Sequence, residues 1–439
     1  MRLRYLSFMI AEHASTRVLD AITTLILIRS LDVTSLGTLV VYQAWVAIFL
    51  MAFPVLENVL YREHGKHSSA GTLAREIAIF RKFNLLKFAV AIALTLASAS
   101  IPIKGIGFER RLAAMALAFA LPLAQALYGI YREPLRFELK AGTVVLVNGA
   151  QRLFIIAAVW AAGHFYGGAI EQTAAAAILV YLAFGFVWAA VSRHELPQLK
   201  PVNVSLSQAL PRIGTVLTES VIWLHLSGSI LSAVQTLDVY FLSRTQIGLS
   251  EIAIYSIALK AANFLQIMAL PLTQAFGVYL GRRAGRAPTT GSSGGRFGNL
   301  TEKQMAWLAL AAFSAMALIM CLVGFEFAQP ILGFLTRGKF GTLELGRAEG
   351  YFRWMLAGVA ISTLCFAHGT YIGSRGNIRG LVLVVLLPWF AFAMLGYGLA
   401  SEYGAYTTAC MNVPVAIFYT LGHLAYFVFG GRKRATQAN

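Results

Sequence analysis

Residues 237–265, LDVYFLSRTQIGLSEIAIYSIALKAANFL, decide how this chain is read. Two apolar stretches are pinched around a short polar turn. Charges nevertheless stand inside or beside both stretches, at Asp238, Arg244 and Lys260. A lysine in a run this apolar needs a reason to be there.

The surrounding chain is just as apolar. Of 439 residues, 58% are hydrophobic and 13% charged, and the mean hydropathy is +0.68. A soluble domain carries about 25% charged residues, and no core of ordinary size could bury this much apolar surface. Repeated apolar runs of about 20 residues read instead as transmembrane helices. The predicted class is an all-α polytopic membrane protein. Twelve helices are expected near 6–29, 35–61, 83–103, 112–131, 143–162, 169–191, 214–242, 251–280, 305–327, 351–373, 380–400 and 405–430. The two-residue alternation of a β-barrel is absent.

The net charge is +17, from 36 Lys and Arg against 19 Asp and Glu. Such a balance can mark a nucleic-acid binder. Here the cations cluster in loops, so topology accounts for them and no nucleic-acid partner is expected. With the N-terminus inside, 23 cations fall in cytoplasmic segments and 8 in outer ones; Arg17, Lys87, Arg152, Lys260 and Arg353 fall in or at the ends of spans. That asymmetry predicts both termini in the cytoplasm. Cys321, Cys365 and Cys410 all lie in apolar runs with no metal-binding or disulfide spacing, so neither a metal nor another cofactor is expected. The N-terminal run is interrupted by Glu12, His13, Arg17 and Asp20 and is followed by no small-residue cleavage site. It reads as a retained first span rather than a signal peptide.

The expected domains are a six-helix bundle over 1–192, a linker over 193–212, a second six-helix bundle over 213–431 and a basic tail over 432–439. Three prolines mark the linker region, SRHELPQLKPVNVSLSQALPR. A weak internal repeat supports the halving. LIRSLDVTSLGTLVVYQA (27–44) and FLSRTQIGLSEIAIYSIA (241–258) each run from an apolar helix end through an arginine and a polar turn into a new apolar helix. Each second helix then meets a proline, Pro54 or Pro271. Six spans per half would make the halves parallel repeats, an architecture suited to rocking around a central site. A generic membrane hairpin occurring twice is the alternative.

These phrases resemble the polysaccharide-lipid flippases of the multidrug/oligosaccharidyl-lipid/polysaccharide exporter superfamily. IRSLDVTSLGTLVVY and LSRTQIGLSEIAIYSIALKAANFLQIMALPLTQAF match that family's helix end, turn and Gly-Leu-Tyr-Ser-like restart. AQPILGFLTRGKFG (328–341) resembles its loop after the ninth helix. The first copy departs from the pattern with Thr38-Leu39 where Leu-Tyr is usual. The resemblance implies a MATE-like fold of two pseudo-symmetric bundles in a bacterial inner membrane. It also implies transport rather than enzymatic catalysis, namely the flipping of undecaprenyl-diphosphate-linked oligosaccharides by alternating access for O-antigen, lipopolysaccharide or exopolysaccharide assembly. Its expected partners are that lipid-linked substrate, the bilayer and other polysaccharide-assembly membrane proteins.

An ionisable group inside a bilayer is costly, so it faces a cavity or a partner. His13, Arg17 and Asp20 share a helix face. Either they face substrate, or Arg17 with Asp20 and Glu12 with His13 form structural pairs. The candidate substrate residues are Arg17, Arg152, Lys260, Asn263, Gln274, Gln43 and Asn58, with Trp45 and Tyr42 suited to a sugar. Arg or Lys would hold diphosphate oxygens through charge-assisted hydrogen bonds. Glu12, Asp20 and Asp238 are the candidate proton or sodium sites. Lys87 and Arg353 are expected to snorkel. Two rival functions remain. A cation-coupled multidrug antiporter would favour acidic rather than basic residues in its cavity. A glycan polymerase would carry catalytic residues on a large outer loop, and the longest one here, near 328–350, is short.

Overall fold

The computed structural model describes residues 3–50, 70–100, 106–137, 140–196, 202–216, 222–266, 302–365 and 378–429. All regular structure among them is helical. In chain order the helices are α1 (Leu3–Ser30), α2 (Val33–Leu50), α3 (Ala70–Ser100), α4 (Phe108–Phe137), α5 (Ala141–Phe165), α6 (Ile170–Glu195) and α7 (Leu206–Val216). There follow α8 (Ile222–Leu242), α9 (Leu249–Gln266), α10 (Glu302–Glu326), α11 (Ala328–Thr336), α12 (Thr342–Thr363), α13 (378–402) and α14 (Ala405–Phe429). Each of the twelve expected spans corresponds to a described helix; α7 and α11 are short additions. Five of these helices are apolar over enough length to cross a membrane, namely Gly142–Phe165, Ile170–Glu195, Trp307–Glu326, Ile378–Glu402 and Ala405–Phe429. The chain is an all-α polytopic membrane protein.

Local chemistry sets the breaks between helices. Asp32 caps α2, accepting the Ser35 amide at 2.9 Å and the Ser35 hydroxyl at 2.6 Å. In the second copy of the repeat, the Gly248 carbonyl opens α9 by accepting the amides of Glu251 and Ile252. Both repeat phrases therefore form a helix, a tight turn and a helix. Their second helices begin with buried runs, Ser35 to Tyr42 in α2 and Ile252 to Ala258 in α9. The prolines expected further along, Pro54 and Pro271, lie outside the described residues. Inside α13, one π-helical turn over Val382–Leu386 precedes Pro388. Proline lacks an amide and its ring crowds the carbonyl four residues back, which a widened turn relieves.

The helices group into two compact units, Met1–Ser229 and Ile230–Asn439, with the division inside α8. In the first unit α4 is the hub, packing on α2, α3 and α6, while α5 packs on α6 and on α1. The second unit repeats part of this scheme. There α12 is the hub, packing on α9, α10 and α14, while α13 packs on α14. The two units thus share a helix order and a hub packed on three other helices, as pseudo-symmetric halves do, but among the described residues no α8–α13 contact matches the extent of that between α1 and α5. Small residues allow the closest approaches. A Cβ on Gly163 of α5 would lie 2.3 Å from the Ser30 Cβ of α1, and one on Gly358 of α12 would lie 2.8 Å from the Asn412 carbonyl oxygen of α14.

The region expected to link the halves contains α7, which docks on the first unit. Ala209 and Val204 pack with Ala78 and Ile79 of α3, and the Arg212 Nε meets both Glu76 carboxylate oxygens at 3.1 and 3.3 Å.

Candidate functional site

The second unit encloses a polar cluster around Asp238. This carboxylate lies near the end of α8 and is 2% exposed. It accepts the Tyr255 hydroxyl of α9 at 2.8 Å and the Val239 amide at 2.8 Å. Among the described residues no cation pairs with it. Beside it is a cavity of about 120 Å³ lined by Gln235, Asp238, Asn263, Tyr397 and Asn412, with Trp389 and Tyr419 forming an aromatic wall. Tyr397 donates to the Asn412 Oδ1 at 3.0 Å. Trp389 and Tyr419 stack with centroids 4.2 Å apart, and the Trp389 Nε1 donates to the Val415 carbonyl at 3.0 Å. The cavity thus combines one carboxylate, amides, a phenol and rings, a set that can take a small cation or a hydroxylated guest.

Lys260 and Asn263 stand one turn apart on α9, both half-buried. Asn263 reaches the cavity. Among the described residues Lys260 has no acidic partner. An amine held in a largely apolar helix without a carboxylate remains available for an anion.

In the first unit, Arg152 of α5 and Asp20 of α1 form an ion pair at 2.5 Å, with side chains 8% and 32% exposed. The neighbouring Gln151 accepts the Trp188 indole N–H at 3.3 Å, and Tyr128 donates to the Tyr181 carbonyl. Asp20 therefore ties α1 to a different helix. Arg152 is neutralised on at least one side, unlike Lys260. Gln43 is half-buried on α2, next to the fully buried Tyr42, whose hydroxyl has no hydrogen-bond partner among the described residues.

The remaining candidates stand apart. Asn58 and Gln274 lie outside the described residues, and Glu12 and Arg17 are described only as backbone positions on α1. Lys87 does not snorkel; it is 7% exposed, because a side chain pointing into the bundle cannot reach the interface. Arg353 pairs with Glu349 at 2.6 Å across one helical turn. Sequence reasoning singled out Asp238 and Asn263 but not Gln235, Tyr255, Tyr397, Asn412 and Trp389. Asp238 with Gln235, and Lys260 with Asn263, carry i, i+3 signals. Tyr397 and Asn412 belong to helices whose neighbours are apolar, and only the packing of α13 and α14 brings them to Asp238.

No protein-family profile and no curated protein matches the chain. Solved structures do. The lipid II flippase MurJ in an inward closed conformation has a TM-score of 0.67 at 12% identity, over 95% of this chain and 87% of that one. An inward-facing multidrug resistance MATE family transporter of the MOP superfamily has a TM-score of 0.61 at 12% identity, over 98% of both chains. The Vibrio cholerae MATE transporter VcmN, as a point mutant, has a TM-score of 0.59 at 13% identity, over 99% of this chain and 96% of that one. With nearly full-length coverage on both sides, the chain has the fold that these MOP-superfamily transporters share.

Proposed function

We propose that this chain is a flippase that carries an undecaprenyl-diphosphate-linked oligosaccharide across a bacterial inner membrane by alternating access, with both termini in the cytoplasm. The observation that carries this reading is Lys260. It is a cation inside a span, without an acidic partner among the described residues, one turn from an amide that lines a polar, aromatic-walled cavity. A diphosphate would supply the missing counter-charge. Asn263, Asn412, Tyr397 and Trp389 are the kinds of side chain that hold a sugar. The shared fold with a lipid II flippase is compatible with such a cargo.

Asp238 is the proposed coupling site. A carboxylate without a cationic partner can take a proton or sodium ion and release it when its surroundings change. Asp20 is a second, different acid, whose charge balances Arg152. Arg17, Arg152, Gln43, Asn58 and Gln274 remain proposed substrate contacts, and Glu12 a proposed coupling acid.

Asp238 also favours a second reading, a cation-coupled multidrug antiporter, since two solved structures of this fold are of multidrug resistance transporters. Two assays separate the readings. Deleting the gene should abolish surface polysaccharide altogether, whereas loss of a polymerase would leave single exported units. Membrane vesicles holding the protein should not move cationic dyes. Dye transport with normal polysaccharide in the deletion strain would overturn the flippase reading.

A further inference from the structure

One face of the first unit is shaped for an amphiphile. Helices α3, α4 and α6 line two open cavities, one further along the same three helices than the other. The first, of about 320 Å³, lies where α3 begins and α4 and α6 end, and is closed by the 202–204 segment; Arg81, Lys82, Arg193, Asn203 and Tyr131 are its polar walls. The second, of about 310 Å³, continues along the same three helices among Ile92, Leu96, Phe119, Leu123, Ile178 and Leu182, and its lining is almost wholly apolar.

The basic end has a charge deficit. Of the acids described there, Glu76 is taken by Arg212 and Glu195 by Lys140 at 3.0 Å. Arg81, Lys82 and Arg193 form no ion pair among the described residues. The same end carries α7, whose Leu206 and Leu210, one turn apart, are 44% and 50% exposed beside Val202 at 41%. A short helix with apolar residues outward and an ion pair inward has the form of an interfacial helix. From Lys82 to Leu96 the helical rise covers about 21 Å. That is the depth of one leaflet, half of a bilayer about 40–45 Å thick with its headgroups.

We propose that this groove is a binding site for an anionic diacyl phospholipid of the leaflet on the α7 side, which the charge distribution places in the cytoplasm. The phosphate sits between Arg81, Lys82 and Arg193, and one acyl chain follows α3 and α6 to Leu96 and Ile178. Basic pockets between membrane helices on the cytoplasmic side hold anionic headgroups by this chemistry. The proposal does not depend on what the protein transports.

The test uses the full-length protein in nanodiscs of mixed phosphatidylglycerol and phosphatidylcholine, with retained lipids counted by native mass spectrometry. Wild type should retain phosphatidylglycerol in preference to phosphatidylcholine. The R81Q/K82Q/R193Q variant should lose that preference by about a hundredfold, since each such cation contributes about fivefold. An R337Q/K339Q control, at basic residues assigned to the outer side, should keep it. Gly185→Leu, which fills the apolar trough beside Tyr128, should lower retention with all three cations intact. Equal retention of both lipids by wild type overturns the proposal without any variant. So does an undiminished preference in the triple variant, full retention in the leucine variant, or displacement of the lipid by millimolar inorganic phosphate, which would mean a free-anion site.

Discussion

Asp238 and Arg152 are both buried charges, but their surroundings give them different energetics. Arg152 has a carboxylate partner, so removing that partner leaves a buried guanidinium short of its counter-charge. Asp20→Asn should destabilise the purified protein by about 2 kcal/mol, less than the roughly 3–5 of a fully buried pair because Asp20 is partly exposed. D20N/R152M together should cost less than D20N alone. A double loss equal to the sum of the separate D20N and R152M losses in a thermal unfolding series would show that the pair carries no coupling. Asp238 depends on hydrogen bonds instead. Tyr255→Phe keeps the ring and deletes the 2.8 Å donor, and should cost about 1–3 kcal/mol, the penalty for a buried acceptor left short. In the D238N background the same substitution should cost distinctly less. A cost that is the same in both backgrounds would place the tyrosine's contribution elsewhere.

At the scale of elements, the sequence carried the helices well and their ends poorly. Apolar runs and loop charges located the spans because a bilayer demands about 20 apolar residues and penalises charge. The run near 83–103 was legible, whereas the preceding turns of α3 from Ala70 were not. Those turns bear Arg75, Glu76, Arg81 and Lys82, which look like loop until Glu76 is seen to pair with Arg212. The region 193–212 reads as a linker from its prolines; that its last residues form a helix seated on α3 depends on a tertiary contact between Ala209 and the Ala78–Ile79 surface. The contact of α1 with α5 is a further tertiary fact. Gly163→Val would place methyl groups on Ser30, where even a Cβ would sit 2.3 Å away. It should destabilise by about 1–3 kcal/mol, read as a lower unfolding temperature in detergent. Gly168 follows in the same corner with φ +83 and a would-be Cβ 2.2 Å from the Ser30 carbonyl oxygen, so Gly168→Ala should be similarly harmful. Wild-type stability for both would mean that the corner is looser than its packing indicates.

For the whole molecule, the order and packing of the described helices give the chain a fold shared with solved transporters at an identity of only 12–13%. The repeat phrases pointed there because the helix–turn–helix that opens each half is set by local chemistry: an arginine at the membrane edge, a capped turn and a buried restart. The site was half legible. Asp238 and Lys260 stand out as charges in apolar runs, but Tyr397 and Asn412 carry no signal until α13 and α14 fold against α8. The direct measurement is translocation of a lipid-diphosphate oligosaccharide by the purified protein in proteoliposomes, with Lys260→Met and Lys260→Arg beside wild type at equal protein content. Wild type should move the lipid, the methionine variant should lose at least about tenfold in rate for the loss of a charge-assisted contact worth about 1.5–3 kcal/mol, and the arginine variant should keep a substantial part. Methionine at the wild-type rate, or no translocation by the wild type, would contradict the account.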